Sequence, residues 1–297
     1  MRRRSVAFFS TLKEAVSERG VALMGICNVT PDSFSDGGRF FSSENARARV
    51  DELLREGADI VDVGGESTRP RALPVAPVEQ LARVLEIVRY AASKGACVSI
   101  DTQSPEVVHA CLEAGAACVN DVSCLRDDAL ARVVSESGAA YVLMHSRGTQ
   151  GEMTGFSEVR ETDYDDVVVD VVREWTSAAN RARELGVDDG SLLMDPGLGF
   201  AKSARHSVDL LRRLPELTRL VNVPVVIGAS RKSFLSRTQA VRGKKVHFED
   251  DGDAPDGRLG ASVAAAIMAA KAGATVLRVH DVRETRQAIA MATVLDV

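Results

Sequence analysis

A single closed (β/α)8 TIM barrel with a short N-terminal helical extension is the fold that the sequence predicts, on three observations. Short apolar runs alternate with helix-period segments eight times. Glycine recurs at the helix-to-strand junctions, where it supplies a left-handed C-cap without steric cost. No stretch rich in Pro, Gly and Ser is long enough to divide the 297 residues. That length suits one large α/β barrel or two ordinary domains, and the unbroken alternation selects the barrel. Residues 1–20 read as the extension and 21–297 as the barrel domain.

The chain opens with MRRR and then Val6, Ala7, Phe8 and Phe9, which looks briefly like a secretory leader. Lys13 and Glu14 interrupt the apolar run, so a short amphipathic helix and a cytoplasmic protein are expected. From Leu23 to Gly38, LMGICNVTPDSFSDGG reads as a strand buried on both faces that stops at Asn28 and enters a long polar loop. Ala46, Val50, Leu53 and Leu54 share a helical face ending at Gly57, before IVDVG from Ile60. Leu81, Val84, Leu85 and Val88 precede the strand Cys97 to Asp101, and Val108, Cys111 and Leu112 precede Cys118 to Asn120. Leu130, Val133 and Val134 lead to YVLMH from Tyr141, and Val168, Val171, Val172 and Trp175 to SLLMD from Ser191. Leu210, Leu211 and Leu214 precede PVVIG from Pro224. An alanine-rich helix ending near Gly273 precedes TVLRV, and Ala288, Met291, Ala292 and Leu295 form the last helix. A doubly wound open sheet is the alternative, but the first loop lacks its G-x-G-x-x-G fingerprint. Residues 29–44 and the polar, Gly- and Asp-rich insertion 238–256 are expected to be mobile, the second equally readable as a surface excursion with no function.

Hydrophobic residues make up 45% and charged residues 27%, with a net charge of −5. A sizeable core is affordable, no membrane span is present, and a nucleic-acid binder relying on a broad basic field is excluded. The five cysteines show no C-x-x-C spacing and several lie in apolar runs, which fits buried thiols in a reducing compartment.

A barrel of this kind places its site at the C-terminal ends of the strands. The residues there are Asn28, Gly64 with Gly65 and Glu66, Asp101, Asn120 with Asp121, His145, Asp195, Ser230 with Arg231 and Lys232, and Arg278 with His280. Converging so many polar groups on one mouth is costly unless they bind something. Asp101, Asn120, Asp195 and Lys232 offer acceptors and donors suited to the edge of a flat, nitrogen-rich heterocycle. Arg278 and His280, two apart on one strand, form an anion site. Asn28 offers a neutral oxygen of the kind Mg²⁺ accepts when phosphates and water complete its shell. Plainer readings stand beside these: a strand-end Asp as a helix cap, His145 as a satisfied partner near the rim, Arg278 as a structural ion pair, and Asp62 and Asp121 as supporting or capping groups. Cys27 sits in an apolar strand that disfavours a thiolate nucleophile.

Seven motifs in order, MGICNVTPDSFSDGG at Met24, DIVDVGGESTRP at Asp59, SIDT at Ser99, VNDVS at Val119, LMDPGLGFAK at Leu193, VIGASRKSFL at Val226 and VLRVHDV at Val276, resemble the dihydropteroate synthase family of folate biosynthesis. The resemblance covers about Leu23 to Leu295. It implies condensation of 6-hydroxymethyl-7,8-dihydropterin diphosphate with 4-aminobenzoate, by SN1-like loss of diphosphate, in a sulfonamide target. By position, Asp101, Asn120, Asp195 and Lys232 match the pterin set, Asn28 the Mg²⁺ ligand, and Arg278 with His280 the diphosphate site. Thr68, Arg69 and Pro70 match a second loop that, with the first, builds the aminobenzoate pocket, and Phe200, Lys232 and Ser233 lie in segments resembling its other walls. The resemblance further implies a homodimer and a first loop, Val29 to Gly38, that closes as a lid. Arg71 and Ser146 depart from the family's usual residues. Two rivals remain: a methyltetrahydrofolate-binding methyltransferase domain, and a silent pterin-binding or partner-binding barrel.

Overall fold

The computed structural model describes residues 3–30, 43–67, 73–148, 159–236, 238–240, 246–248 and 255–295. Thr68, Arg69, Pro70 and Arg71, the first loop from Pro31 onward, and much of the 238–256 insertion lie outside them. The barrel strands are β1 (Ala22–Asn28), β2 (Ile60–Gly64), β3 (Cys97–Asp101), β4 (Cys118–Asp121), β5 (Ala140–Met144), β6 (Leu192–Asp195), β7 (Val226–Ile227) and, after a hairpin of β8 (Thr238–Ala240) with β9 (Val246–Phe248), β10 (Val276–Val279). The helices are α1 (Arg3–Arg19), α2 (Ser43–Glu56), α3 (Pro77–Ser93), α4 (Pro105–Glu113), α5 (Asp128–Ser137), α6 (Val167–Glu184), α7 (Ala204–Arg212), α8 (Leu214–Leu220), α9 (Leu259–Lys271) and α10 (Val282–Val294).

The eight parallel strands run β6-β5-β4-β3-β2-β1-β10-β7. A single parallel bridge, Met194 with Val225, joins the two ends and closes the ring. The barrel and its eight strands are thus those expected. The expected glycine junctions also hold: Gly57, Gly95, Gly115, Gly138, Gly186 and Gly273 all have positive φ.

Strand alternation divides the apolar residues between two clusters. Leu23, Cys27, Val61, Val63, Ile100, Val119 and Leu143 pack outward against the helices in the larger one. The smaller joins Ala22, Met24, Ile60, Cys118, Ala140, Val142, Leu193, Val226 and Val276 to Phe8, Leu12 and Ala15 of α1. The N-terminal extension therefore plugs the lower end of the barrel, tied there by Ser5 N–H donating to Gly138 O at 2.9 Å.

Gly197, just past β6, has φ +67°, and a Cβ there would stand 2.0 Å from the His145 carbonyl oxygen. The β6 loop can pass this close to the end of β5 only without a side chain. Gly197→Ala is expected to lose at least about 2 kcal/mol, from the left-handed backbone and the overpacking together. Urea denaturation checks this against Gly260→Ala, whose Cβ would meet nothing within 4 Å and which should stay within about 0.5 kcal/mol of the parent.

Candidate active site

The inward stripe of each strand changes character along its length. Below it is apolar except at Ser99 and sealed by α1; above, the next inward positions are Asp62 after Ile60, Asp101 after Ser99, Asn120 after Cys118, Asp195 after Leu193 and Arg278 after Val276. Ladder register aligns them: Asp101 is opposite Asn120 on one side and Gly64 on the other, and Gly64 is opposite Asn28.

Arg278 is the centre of this floor. Its Nε donates to Asp62 Oδ2 at 2.7 Å and its Nη2 to Asp101 Oδ2 at 2.7 Å. Asn120 Nδ2 donates to the same Asp62 oxygen at 3.2 Å. Burial disfavours the charge on Arg278, but Asp62 and Asp101 outweigh it and hold the guanidinium above its ordinary range. Burial, opposed by Arg278, pushes the Asp101 carboxyl up to about 7. Asp62 Oδ1 and Asp101 Oδ1 are buried with no hydrogen-bond partner. Two buried acceptors on the floor of the barrel call for N–H donors. The expectation of two separate halves is thereby refined: Arg278 belongs to the anion pair by sequence position yet contacts the carboxylate set directly. Asp62, read from sequence as a supporting group, is the clamp that joins Arg278 to Asn120.

Asp195 closes the other side of the floor. Its Oδ1 accepts from Gly197 N–H at 2.7 Å, and a Cβ at Gly228 would lie 3.9 Å from both its Oδ2 and Arg278. Gly228 thus keeps open the gap between an acid and a base. Burial raises the Asp195 carboxyl despite the pull of Lys232, and the same burial draws the Lys232 ammonium down to about 8 despite Asp195. Lys232 donates to Leu198 O and stands 4.6 Å over the Phe200 ring. It follows Arg231, whose φ is +59° and whose guanidinium is tied to Asp281. Ser233 begins the 3-10 turn directly after it.

Beyond β10, Ser230 Oγ accepts from His280 N–H at 3.2 Å and lies 3.0 Å from His280 Nδ1. With the serine proton on Nδ1, the ring presents Nε2–H as a donor. Burial, then Arg278 and Arg231, pulls His280 down to about 3, so the donor is a neutral imidazole. Arg49 of α2 donates to the His280 carbonyl.

His145 is fully buried at the end of β5, between Glu174 and Lys202. Glu174 does not stand out in the sequence, being one acid on an amphipathic helix, and Lys202 closes the LMDPGLGFAK motif without a strand-end position that would mark it as part of the site. Cys27 behaves as expected of an apolar strand position, with burial pushing its thiol up to about 12. Asp121 caps its own loop, accepting from Ser123 N–H, Leu125 N–H and Tyr141 OH at 2.7, 3.0 and 2.7 Å.

A closed barrel with a polar, carboxylate-lined floor is the framework of a small-molecule enzyme, and the comparisons say which. The pterin binding enzyme family model matches residues 24–280, and the chain belongs to that family. Within it, the chain groups with the dihydropteroate synthases. It is 44% identical over 270 residues to the dihydropteroate synthase of Mycobacterium leprae, covering 91% of each chain. It superposes on Xanthomonas albilineans dihydropteroate synthase with 4-aminobenzoic acid at a TM-score of 0.81, 39% identical, covering 93% of both chains. A second structure of the Xanthomonas albilineans enzyme, in complex with 7,8-dihydropteroate, matches at 0.78 with 37% identity, covering 93% of this chain and 94% of that one.

Proposed function

We propose that this chain is a transferase that condenses 6-hydroxymethyl-7,8-dihydropterin diphosphate with 4-aminobenzoate, giving 7,8-dihydropteroate and diphosphate. The observation that carries the reading is the buried floor of Asp62, Asp101, Asn120, Asp195 and Arg278, with two carboxylate oxygens left to accept N–H donors. Those acceptors suit the amino and ring N–H groups of a pterin, with Lys232 donating to its oxygen or nitrogen. The diphosphate would extend toward Arg278 and the neutral N–H of His280. The methylene C–O bond breaks with its electron pair leaving on diphosphate, the arylamine lone pair forms the C–N bond, and the amine proton passes to solvent. No base is required, since the arylamine attacks a cation stabilised by the electron-rich pterin. Thr68, Arg69, Phe200, Lys232 and Ser233 are the proposed walls for 4-aminobenzoate.

The residues at the rim fit Mg²⁺. A Cβ on Gly64 would be 3.7 Å from Asn28 Oδ1 and 3.7 Å from Asp101 Oδ2, so both oxygens border the same gap. Among the described residues no group of three or more His, Cys, Asp or Glu could hold a metal. A single amide ligand, Asn28, with substrate oxygens and water, matches the way Mg²⁺ is bound beside phosphates. When bound, the ion supplies charge neutralisation for the leaving diphosphate; a chelator that leaves turnover unchanged would refute the assignment.

A homodimer is proposed through the last two helices, where Met268, Met291, Val294 and Leu295 are exposed; sedimentation velocity showing only monomer at micromolar concentration would contradict it. A cytoplasmic location fits the free cysteines, and no helix among the described residues is long and apolar enough to cross a membrane. Fractionation of the native cells checks the location.

The test of function is to mix the two substrates with the purified chain and measure diphosphate. Release dependent on both substrates is expected. No release, together with tight binding of methyltetrahydrofolate, would favour the methyltransferase alternative and overturn the proposal.

A further inference from the structure

We propose that Lys202 is a positioning residue for the Lys232 side of the site, acting through a relay of a buried lysine, a buried imidazole and a half-buried carboxylate that fixes the loop after β6. The inference rests on the functional reading above. Lys202 is 1% exposed. Its Nζ lies 2.8 Å from His145 Nδ1, 3.0 Å from Phe200 O and 3.5 Å from His145 O. On the far side of the ring, His145 Nε2 lies 3.0 Å from Glu174 Oε2. Because Lys202 can donate to Nδ1, the ring keeps its one proton on Nε2 and gives it to Glu174, which settles the tautomer of a neutral histidine. Glu174 is also bound by Arg147, whose guanidinium carbon lies 3.8 Å over the Tyr164 ring. Tyr164 OH in turn donates to Ala201 O at 3.0 Å.

Two successive loop carbonyls, Phe200 and Ala201, are therefore held by Lys202 and Tyr164. Ala201 has φ +47°, a conformation that a non-glycine residue adopts only where its surroundings enforce it. The loop so held carries both partners of Lys232, the Leu198 carbonyl and the Phe200 ring. Simple filling of this volume does not call for a lysine: methionine has nearly its length and no desolvation cost. The geometry gives the amine a reason to be there, since it donates to a ring nitrogen and a loop carbonyl at once.

The test is Lys202→Met, alone and combined with Phe200→Ala. Lys202→Met is expected to keep its far-UV circular dichroism and to lower kcat/KM for the pterin substrate by roughly tenfold. The double variant should fall within about twofold of Phe200→Ala alone, because both act through the same ring. Tyr164→Phe, which deletes one hydroxyl, should show a smaller loss with the same non-additivity, and it decides the matter if Lys202→Met does not fold. Nitrogen-15 NMR of the His145 ring reads the relay without turnover: Nε2–H facing Glu174 and a hydrogen-bonded Nδ1 in the parent, and in Lys202→Met the same Nε2–H with the Nδ1 resonance moved to that of an unbonded ring nitrogen. An unchanged Nδ1 resonance, wild-type kcat/KM, or losses that multiply with Phe200→Ala would overturn the proposal. A parent chain that shows the tautomer but makes no dihydropteroate would instead refute the functional reading.

Discussion

Replacing Arg278 with Met is expected to cost the fold about 3–5 kcal/mol and to lower kcat/KM by at least roughly a hundredfold. The stability loss follows from what the guanidinium leaves behind. Asp62 and Asp101 are buried on the barrel floor, each paired to Arg278 at 2.7 Å, and removing the cation leaves the Asp62 carboxyl without its ion pair and drives Asp101, already raised to about 7, to its neutral form. The same deletion removes a cation that, in the proposed pose, lies between the carboxylate set and the diphosphate. The two effects separate in a triple variant. Adding Asp62→Asn and Asp101→Asn to Arg278→Met should recover most of the stability, read from the urea midpoint, and none of the turnover. Recovery of both would leave Arg278 as a structural ion pair only.

Lys232→Met and Asp195→Asn should each lower turnover by at least about tenfold, since each loses a charged hydrogen-bond partner on the order of 1.5–3 kcal/mol. Near wild-type rates in both would refute the site. The lysine adds a pH signature. Its ammonium is the donor, and burial has drawn its pKa down to about 8. The active, charged form is therefore present below about pH 8 and is lost as pH rises through that value, so kcat/KM for the pterin substrate should show a basic limb there. Lys232→Arg, which stays charged, should lower the rate and remove the limb. His280, drawn down to about 3, is neutral on both sides of this window and contributes no limb.

Much of this site was legible because strand period and barrel geometry are simple. Apolar runs located all eight strands, and their polar ends identified Asp101, Asn120, Asp195, Lys232 and His280. The same reading names Arg278, but only with the anion pair, and takes Asp62 only as a supporting or capping group, whereas both lie within β10 and β2 and meet on the floor. What marks both is the inward stripe: Ile60 to Asp62 and Val276 to Arg278 change from apolar to charged at a spacing of two, the step at which the barrel interior passes from core to floor. Lys202, His145 and Glu174 carry no such periodic signal. They come from a loop, a strand end and a helix, and only tertiary packing brings them together. The short β7 and the closing bridge at Val225 were equally unforeseeable, because a five-residue apolar run does not say how many of its residues pair.

The orientation of the pterin on this floor is the central claim, and paired binding titrations test it most directly. The ligands are 6-hydroxymethyl-7,8-dihydropterin and its diphosphate, measured by calorimetry on the parent chain, Asp195→Asn and His280→Ala. Asp195→Asn should weaken both ligands by about tenfold or more, because the heterocycle is common to them. His280→Ala should weaken only the diphosphate ester, by a similar factor, and leave the alcohol within about twofold. Equal losses for both ligands in His280→Ala, or an Asp195→Asn chain that binds the alcohol as the parent does, would contradict the account.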